Sequence, residues 1–305
     1  VTFFNKVKKT SDQRLDIEFR FVKKPRKYVN LINISGNTIT EEKVIRRNLL
    51  FSEGDSFLDY KVSKSIDKIK SLRIFKDVKF KTQNSGNEKV DLNISVEEQP
   101  TGSVSAGIGV GSSGSTVSST IVEKNLFGKG ITLDGNVSIG TEKVSGNVGL
   151  SLPDFMNTDN TFNYNIFAIT TDFTNSGYES KKIGNGLSTQ YNVYEDISLR
   201  TGFGIDLDKI NTNDTASDLY KAREGDYLTY KGFYSISNDK RNSKFQPSKG
   251  YRIGFGQGLA LPGSDITYIE NNLDAAVYHS ISNDYILSLK SGLNTINSIG
   301  DEDIK

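Results

Sequence analysis

The chain has 305 residues, no cysteine and a formal net charge of +1. The charge balance gives no footing for nucleic-acid binding, the missing cysteines rule out disulfides and thiolate metal sites, and no stretch approaches the ~20 unbroken apolar residues of a membrane-spanning helix. A membrane barrel stays open, because its strands are apolar only at alternate positions.

The chain starts at Val1 with neither Met nor a signal peptide, and is expected to begin inside a longer precursor. Its first stretch, FFNKVKKTSDQRLDIEFRFVKKP, reads strand, polar turn, alternating strand, charged pair, proline. The same order returns in IFKDVKFKTQNSGNEKVDLNISVEEQP: Phe4 corresponds to Phe75, Val7 to Val78 and Asp16 to Asp91. Self-similarity at a fixed spacing indicates tandem copies of one small unit, the first reduced here to its last hairpin.

The complete copy begins with YVNLINIS, a strand ending at the Gly36-Asn37 turn signal. Thr40 is the expected N-cap of a first helix, with Glu41 and Glu42 in the first turn and Val44, Ile45, Leu49 and Leu50 on its buried face. Gly54 ends that region, and Asp59 is the expected N-cap of a second helix. Val62, Ile66, Ile69 and Leu72 follow at spacings of four, three and three, an amphipathic pattern. DVKFKT and KVDLNISV close the unit as strands, so the order is βααββ. KKPRK, at the boundary between copies, reads as a solvated linker.

After Pro100 helical periodicity disappears. Val104, Ala106, Ile108 and Val110 share one face of a strand. Ile131, Leu133, Gly135, Val137 and Ile139 share the next, against Thr132, Asp134, Asn136 and Ser138. Val144, Val148, Leu150 and Leu152 follow, then Ile197, Leu199, Phe203, Ile205 and Leu207, then Tyr251, Ile253, Phe255, Leu259 and Leu261. Leu273, Ala275 and Val277, and finally Tyr285, Leu287, Leu289 and Leu293, complete about eleven strands. All five prolines lie at element ends, where a missing ladder donor costs little.

Alternation alone fits both a soluble sandwich and a membrane barrel. Three features favour the barrel. Many strands reach the roughly 9–11 residues needed to cross a bilayer at a tilt. Their polar faces are rich in Ser, Thr, Asn and Gly, as in a water-filled lumen. Short connections (TEKV, YEDI, SND) contrast with an expected long polar loop from Asp208 to Asp226.

Residues 28–98 resemble a POTRA domain, and the chain from Pro100 onward resembles the barrel of the BamA-type outer-membrane assembly proteins. The motifs run in the family's order: ISGNT, RIFKDV, EEQPTGSVSAGIGVG, NLFGKG, LPDF, NDKRNSKFQPSKGYRI and LPGSD. The resemblance implies an α+β POTRA domain (βααββ) followed by an antiparallel transmembrane β-barrel, here incomplete at about 11 strands. It implies residues 1–25 as the C-terminal hairpin of a preceding POTRA, 26–99 as a complete POTRA, and 100–305 as the first two thirds of a barrel. The family's Arg-Gly-Phe loop element is not found before Lys305, so the chain reads as a fragment. With open edges such a piece is not expected to insert stably by itself.

Function is implied by the same resemblance. It points to a non-enzymatic outer-membrane protein assembly and insertion factor with no cofactor and no metal, its barrel in the outer membrane and its POTRA domains in the periplasm. The implied partners are unfolded outer-membrane β-barrel proteins, periplasmic chaperones, accessory lipoproteins and outer-membrane lipid. The candidate site is Ser103, Val104, Ser105, Ala106, Gly107, Ile108, Gly109 and Val110, acting through backbone N–H and C=O groups by β-augmentation of incoming strands. Glycine weakens a strand, so Gly102, Gly107, Gly109 and Gly111 either mark an edge built to unpair or simply let strands bend. Asp77, Val78, Lys79 and Phe80 complete a small sheet or dock a partner at its edge, and Arg46 and Arg47 are a solvated helix face or a partner surface. A POTRA-barrel translocator and a soluble β-rich adhesin are the alternative readings.

Other motifs carry no chemistry. GIGVGSSG is followed by a strand where a phosphate loop needs a helix. His279 is the single histidine and has no second ligand of its kind. The carboxylates show no acid/base spacing, and no serine-centred nucleophile motif appears.

Overall fold

The computed structural model describes residues 2–10 and 14–22 as paired strands, and residues 26–86, 88–111, 114–243, 246–282 and 285–299 in full. The chain divides into two compact units, Val1–Gln99 and Pro100–Lys305.

The first unit opens with β1 (Thr2–Thr10) and β2 (Arg14–Val22), an antiparallel hairpin with Val7 opposite Ile17. Next come β3 (Tyr28–Ser35), α1 (Glu42–Arg46), α2 (Asp59–Ser71), β4 (Phe75–Asn84) and β5 (Lys89–Glu98). The three strands pair in the order β3-β5-β4, with β3 parallel and β4 antiparallel to the central β5. Central position explains the pattern of β5. Val90, Leu92, Ile94 and Val96 are all buried, in one cluster with Val44 and Ile45 of α1 and Val62 and Ile69 of α2. Each such side chain contributes about 1.5–3 kcal/mol of burial.

Two expected helix caps shift. Helix α1 starts at Glu42 with Glu41 as its N-cap, and Thr40 is instead buried with its N–H donating to Glu98 Oε1 at 2.7 Å. Thr40 thus faces the carboxylate arriving from β5 instead of capping α1. Helix α2 has Leu58 as N-cap and Asp59 as its first residue, where the acidic side chain still complements the helix dipole. Helix α1 stops at Arg46, so Leu49 reaches the core from the segment beyond it. Ser65 joins that segment to α2: its hydroxyl donates to the Lys61 carbonyl at 2.7 Å and accepts the Leu50 N–H at 2.9 Å.

The second unit is one antiparallel meander. Its strands are β6 (Gly102–Gly111), β7 (Gly114–Leu126), β8 (Ile131–Gly140), β9 (Lys143–Leu152), β10 (Thr161–Phe173), β11 (Tyr178–Tyr194) and β12 (Ile197–Thr212). A short helix α3 (Asp218–Lys221) precedes β13 (Gly225–Asp239), β14 (Gly250–Ala260), β15 (Tyr268–Ser280) and β16 (Ile286–Ser298). All eleven strands pair in chain order in a sheet that does not close, an incomplete barrel. The long loop expected from Asp208 to Asp226 is shorter. Lys209 faces Asp226 across the β12–β13 ladder, with an ion pair at 3.3 Å, and the connection is residues 213–224. These polar residues lack the apolar alternation that marks a strand in sequence, but the partner ladder extends them anyway.

The register sorts the sheet into two faces. Val104, Val117, Val137, Val148, Ile166, Ile183, Leu207, Ile236, Ile253, Leu273 and Leu293, one from each strand, lie on the same face, and all are exposed. Among the described residues of this unit no second sheet covers them. Among the described residues of this unit the buried apolar side chains are only Ala216, Tyr227 and Ala260. The dry core that a sandwich requires is therefore not there.

Candidate functional site at the first sheet strand

Strand β6 pairs with β7 from Gly102↔Glu123 to Gly111↔Gly114, and with no other strand among the described residues. One row of its backbone N–H and C=O groups is thus open to a further strand. All ten of its residues are exposed, Ile108 by 82% and Val110 by 84%. The outer parity carries Val104, Ala106, Ile108 and Val110, the inner parity Ser103, Ser105, Gly107 and Gly109. The eight sequence-derived residues thus form one contiguous segment at the sheet edge. At the opposite edge, β16 pairs with β15 and, among the described residues, with no other strand.

The inner face is polar and charged. One row runs Thr120, Asn136, Asn147, Phe167, Gly184, Asp206 and Thr229 across seven strands. Asn136 donates to Thr120 Oγ1 at 2.8 Å. Lys182 pairs with Asp206 at 3.4 Å, and Lys231 with Glu270 at 2.5 Å. The Arg200 guanidinium lies 5.6 Å from the Phe233 ring centre while its Nε donates to Ser188 at 3.0 Å. Glycines make room for these groups: a Cβ at Gly184 would strike the Asp206 carboxylate and the Phe167 ring, and one at Gly202 would strike the Phe233 ring. A recess of about 690 Å³ lies over this face, lined by Arg200, Asp206, Lys231, Phe233, Glu270 and others. Composition showed that this face was polar; which charges pair across it required the register.

The POTRA-side candidates sit in the first unit. Asp77, Val78, Lys79 and Phe80 lie on β4, an edge of the small sheet. Val78 is buried and Phe80 packs on the core, so their side chains serve the domain interior. Asp77 and Lys79 face away and pair at 3.4 Å. Arg46 is tied down by three partners: Glu42 at 2.5 Å, Glu53 at 2.9 Å and the Ile32 carbonyl at 2.9 Å. The Glu42 and Glu53 hydrogen bonds raise its pKa above the usual arginine value. Arg47 is the C-cap of α1, its N–H donating to the Lys43 carbonyl.

Sequence reasoning missed Glu98. Its carboxylate accepts the N–H groups of Thr38, Ile39 and Thr40 and the Thr38 hydroxyl. Burial alone would raise its pKa, but the hydrogen bonds from Thr38, Thr40 and Ile39 outweigh that and hold it at about 2. Nothing in the local Glu97-Glu98-Gln99-Pro100 sequence signals this, because the partners are some sixty residues away.

The match of an Omp85 superfamily domain to residues 125–305 covers more than half of the chain. The chain belongs to the Omp85 superfamily. A POTRA family model, described as a surface antigen variable number repeat, matches residues 27–99. The Omp85 chain is 28% identical over 273 residues to the outer membrane protein assembly factor BamA of Neorickettsia risticii, covering 88% of this chain and 37% of that one. It is 27% identical over 282 residues to BamA of Neisseria meningitidis, covering 86% of this chain and 35% of that one. The chain therefore spans little more than a third of the length of these curated relatives. Among solved structures, BamA of Haemophilus ducreyi lacking POTRA domains 1–3 superposes over 98% of this chain and 61% of its own, at 23% identity and a TM-score of 0.73. CdiB of Acinetobacter baumannii shares the fold over 99% of this chain and 57% of its own, at 11% identity and a TM-score of 0.56. A BamA-type fragment, a POTRA domain followed by an open run of Omp85 barrel strands, is what the sequence resemblance implied.

Proposed function

We propose that this chain is part of an outer-membrane protein assembly factor that inserts β-barrel clients by templating their strands on the free edge of β6. The observation that carries the proposal is the sheet itself. Its uncovered apolar face suits acyl chains, its charged inner face suits water, and its first strand offers open backbone groups with no buried side chain. The BamA names of its relatives support the assembly role.

In this reading the barrel lies in the outer membrane and the POTRA unit in the periplasm. Residues 1–25 are the closing hairpin of a preceding POTRA copy, 26–99 a complete copy, and 100–305 the first part of the barrel. The hairpin order of β1 and β2, which matches β4 and β5, supports the first assignment. Residues 103–110 act through their backbone, and no cofactor or enzymatic step is involved. Client folding supplies the driving energy. Unfolded barrel proteins, periplasmic chaperones and accessory lipoproteins are the expected partners, the last through the β4 edge around Asp77, Val78, Lys79 and Phe80 or the Arg46–Arg47 turn.

Proline at alternate positions of residues 103–110 in the full-length protein removes edge donors, so client insertion is expected to stop, while Val104→Ile and Ile108→Val leave it unchanged. Full activity in the proline variants refutes the mechanism. The likeness to CdiB favours a second reading, a translocator that secretes a passenger. Export of a passenger without insertion of barrel clients would select it.

A further inference from the structure

We propose that Glu123 is a positioning residue that fixes the base of β6 on β7, so that the rest of the strand takes a partner along its free edge without losing register. This rests on the edge-templating reading. A client strand pairs with β6 through the same kind of backbone hydrogen bonds that join β6 to β7, each worth about 0.5–1.5 kcal/mol net. The client adds to the edge that β7 does not use, and a brace outside the ladder keeps β6 in register on β7 while it does.

The base of β6 carries such a brace. Glu123 Oε1 accepts the Thr101 hydroxyl, from the residue just before β6, and the Asn125 N–H at 2.7 Å. Gly102 lies flush against the carboxylate, since a Cβ there would stand 3.0 Å from Oε2. The Thr101 carbonyl accepts the Lys124 N–H at 3.4 Å. Asn125 is itself buried and anchors the following turn: its Oδ1 accepts the Gly130 N–H at 2.7 Å and its carbonyl the Gly128 N–H at 2.9 Å. Glu123 thus ties the entry of β6 to a hydrogen-bonded turn. At the far end, a Cβ at Gly109 or Gly111 would meet nothing within 4 Å. Glu123 also occupies the parity that holds Val117 and Ile121, both exposed and apolar. A carboxylate in such a row costs free energy unless hydrogen-bonded, and here two donors meet it.

The experiment uses the full-length protein, free of other cysteines, in lipid vesicles with an unfolded barrel client, read as the rate at which the client becomes protease-protected. Glu123→Ala and Thr101→Val are expected to slow assembly about tenfold, the loss of one charge-assisted hydrogen bond, while Thr101→Ser stays within about twofold. The factor's own heat-modifiable gel shift stays unchanged. Cysteines at the paired positions Ser103 and Val122, oxidised in the Glu123→Ala background, are expected to restore the rate, and reduction to remove it again. Wild-type rates in Glu123→Ala and Thr101→Val, or a defect that oxidation does not repair, overturns the proposal. If Glu123→Ala does not fold, the contrast between Thr101→Val and Thr101→Ser decides. Proline variants of β6 that keep full activity sink the templating reading itself; if they are inactive while the clasp variants are normal, only the role of Glu123 falls.

Discussion

Glu98 stands at the end of β5 with a carboxylate that gathers backbone donors from the β3–α1 turn. Its pKa is held at about 2 against an ordinary value of 4.5, so the sign of its pH effect is determined. The stability it contributes is fully present above about pH 4.5 and is lost as pH falls toward 2. Because the group is only partly buried, solvent screening limits the loss to about 1 kcal/mol. Urea melts of residues 26–99 are expected to show a lower midpoint at pH 3 than at pH 6.5, and Glu98→Gln is expected to flatten that dependence. An unchanged acid response in Glu98→Gln would remove the carboxylate from the account. The same turn depends on Gly36, whose φ of +90° and close approach to the Val96 carbonyl leave no room for a Cβ.

At the scale of the element, the strands of the large sheet carry two instructions at once. Their outer parity is mainly apolar, and their inner parity mainly polar, with glycines on several strands. On β11, Gly184 lies beneath Phe167 and Asp206, side chains that rise from the neighbouring strands and lean over it. Gly184→Val overpacks that spot and is expected to destabilise the sheet by about 1–3 kcal/mol. In the full-length protein this reads as a lower temperature of the heat-modifiable transition. Strand existence and face were legible because a period of two survives in Ile131, Leu133, Val137 and Ile139 without any partner. Strand ends were not. Residues 208–212 look like loop, yet β12 carries them to Thr212 because β11 and β13 supply ladder partners. In the small domain, the expected caps at Thr40 and Asp59 each shifted by one residue, and Thr40 is held by Glu98 instead.

On the scale of the whole molecule, the two faces of the sheet make opposite demands. Val148 and Asn147 are neighbours on β9 but belong to different faces. If the apolar face meets lipid, Val148→Lys in the full-length protein costs about 2–4 kcal/mol near the bilayer midplane, while Asn147→Lys on the inner face costs little. Urea unfolding from vesicles measures both, and equal effects would contradict the membrane orientation. The polar inner face also explains a mean hydropathy of −0.44 in a chain whose strands present long apolar rows. Half of every strand is written for water.

The chain by itself determined the kinds of element, their order and the face each apolar row belongs to, because side-chain period and glycine or proline punctuation are local properties. Only the tertiary structure decided that those rows stay uncovered, where the ladders end, and that Glu98 and Glu123 accept hydrogen bonds from segments they do not adjoin. Those outcomes depend on which strands become neighbours: a carboxylate finds its donors, and an apolar face its cover or its exposure, only after the register is set.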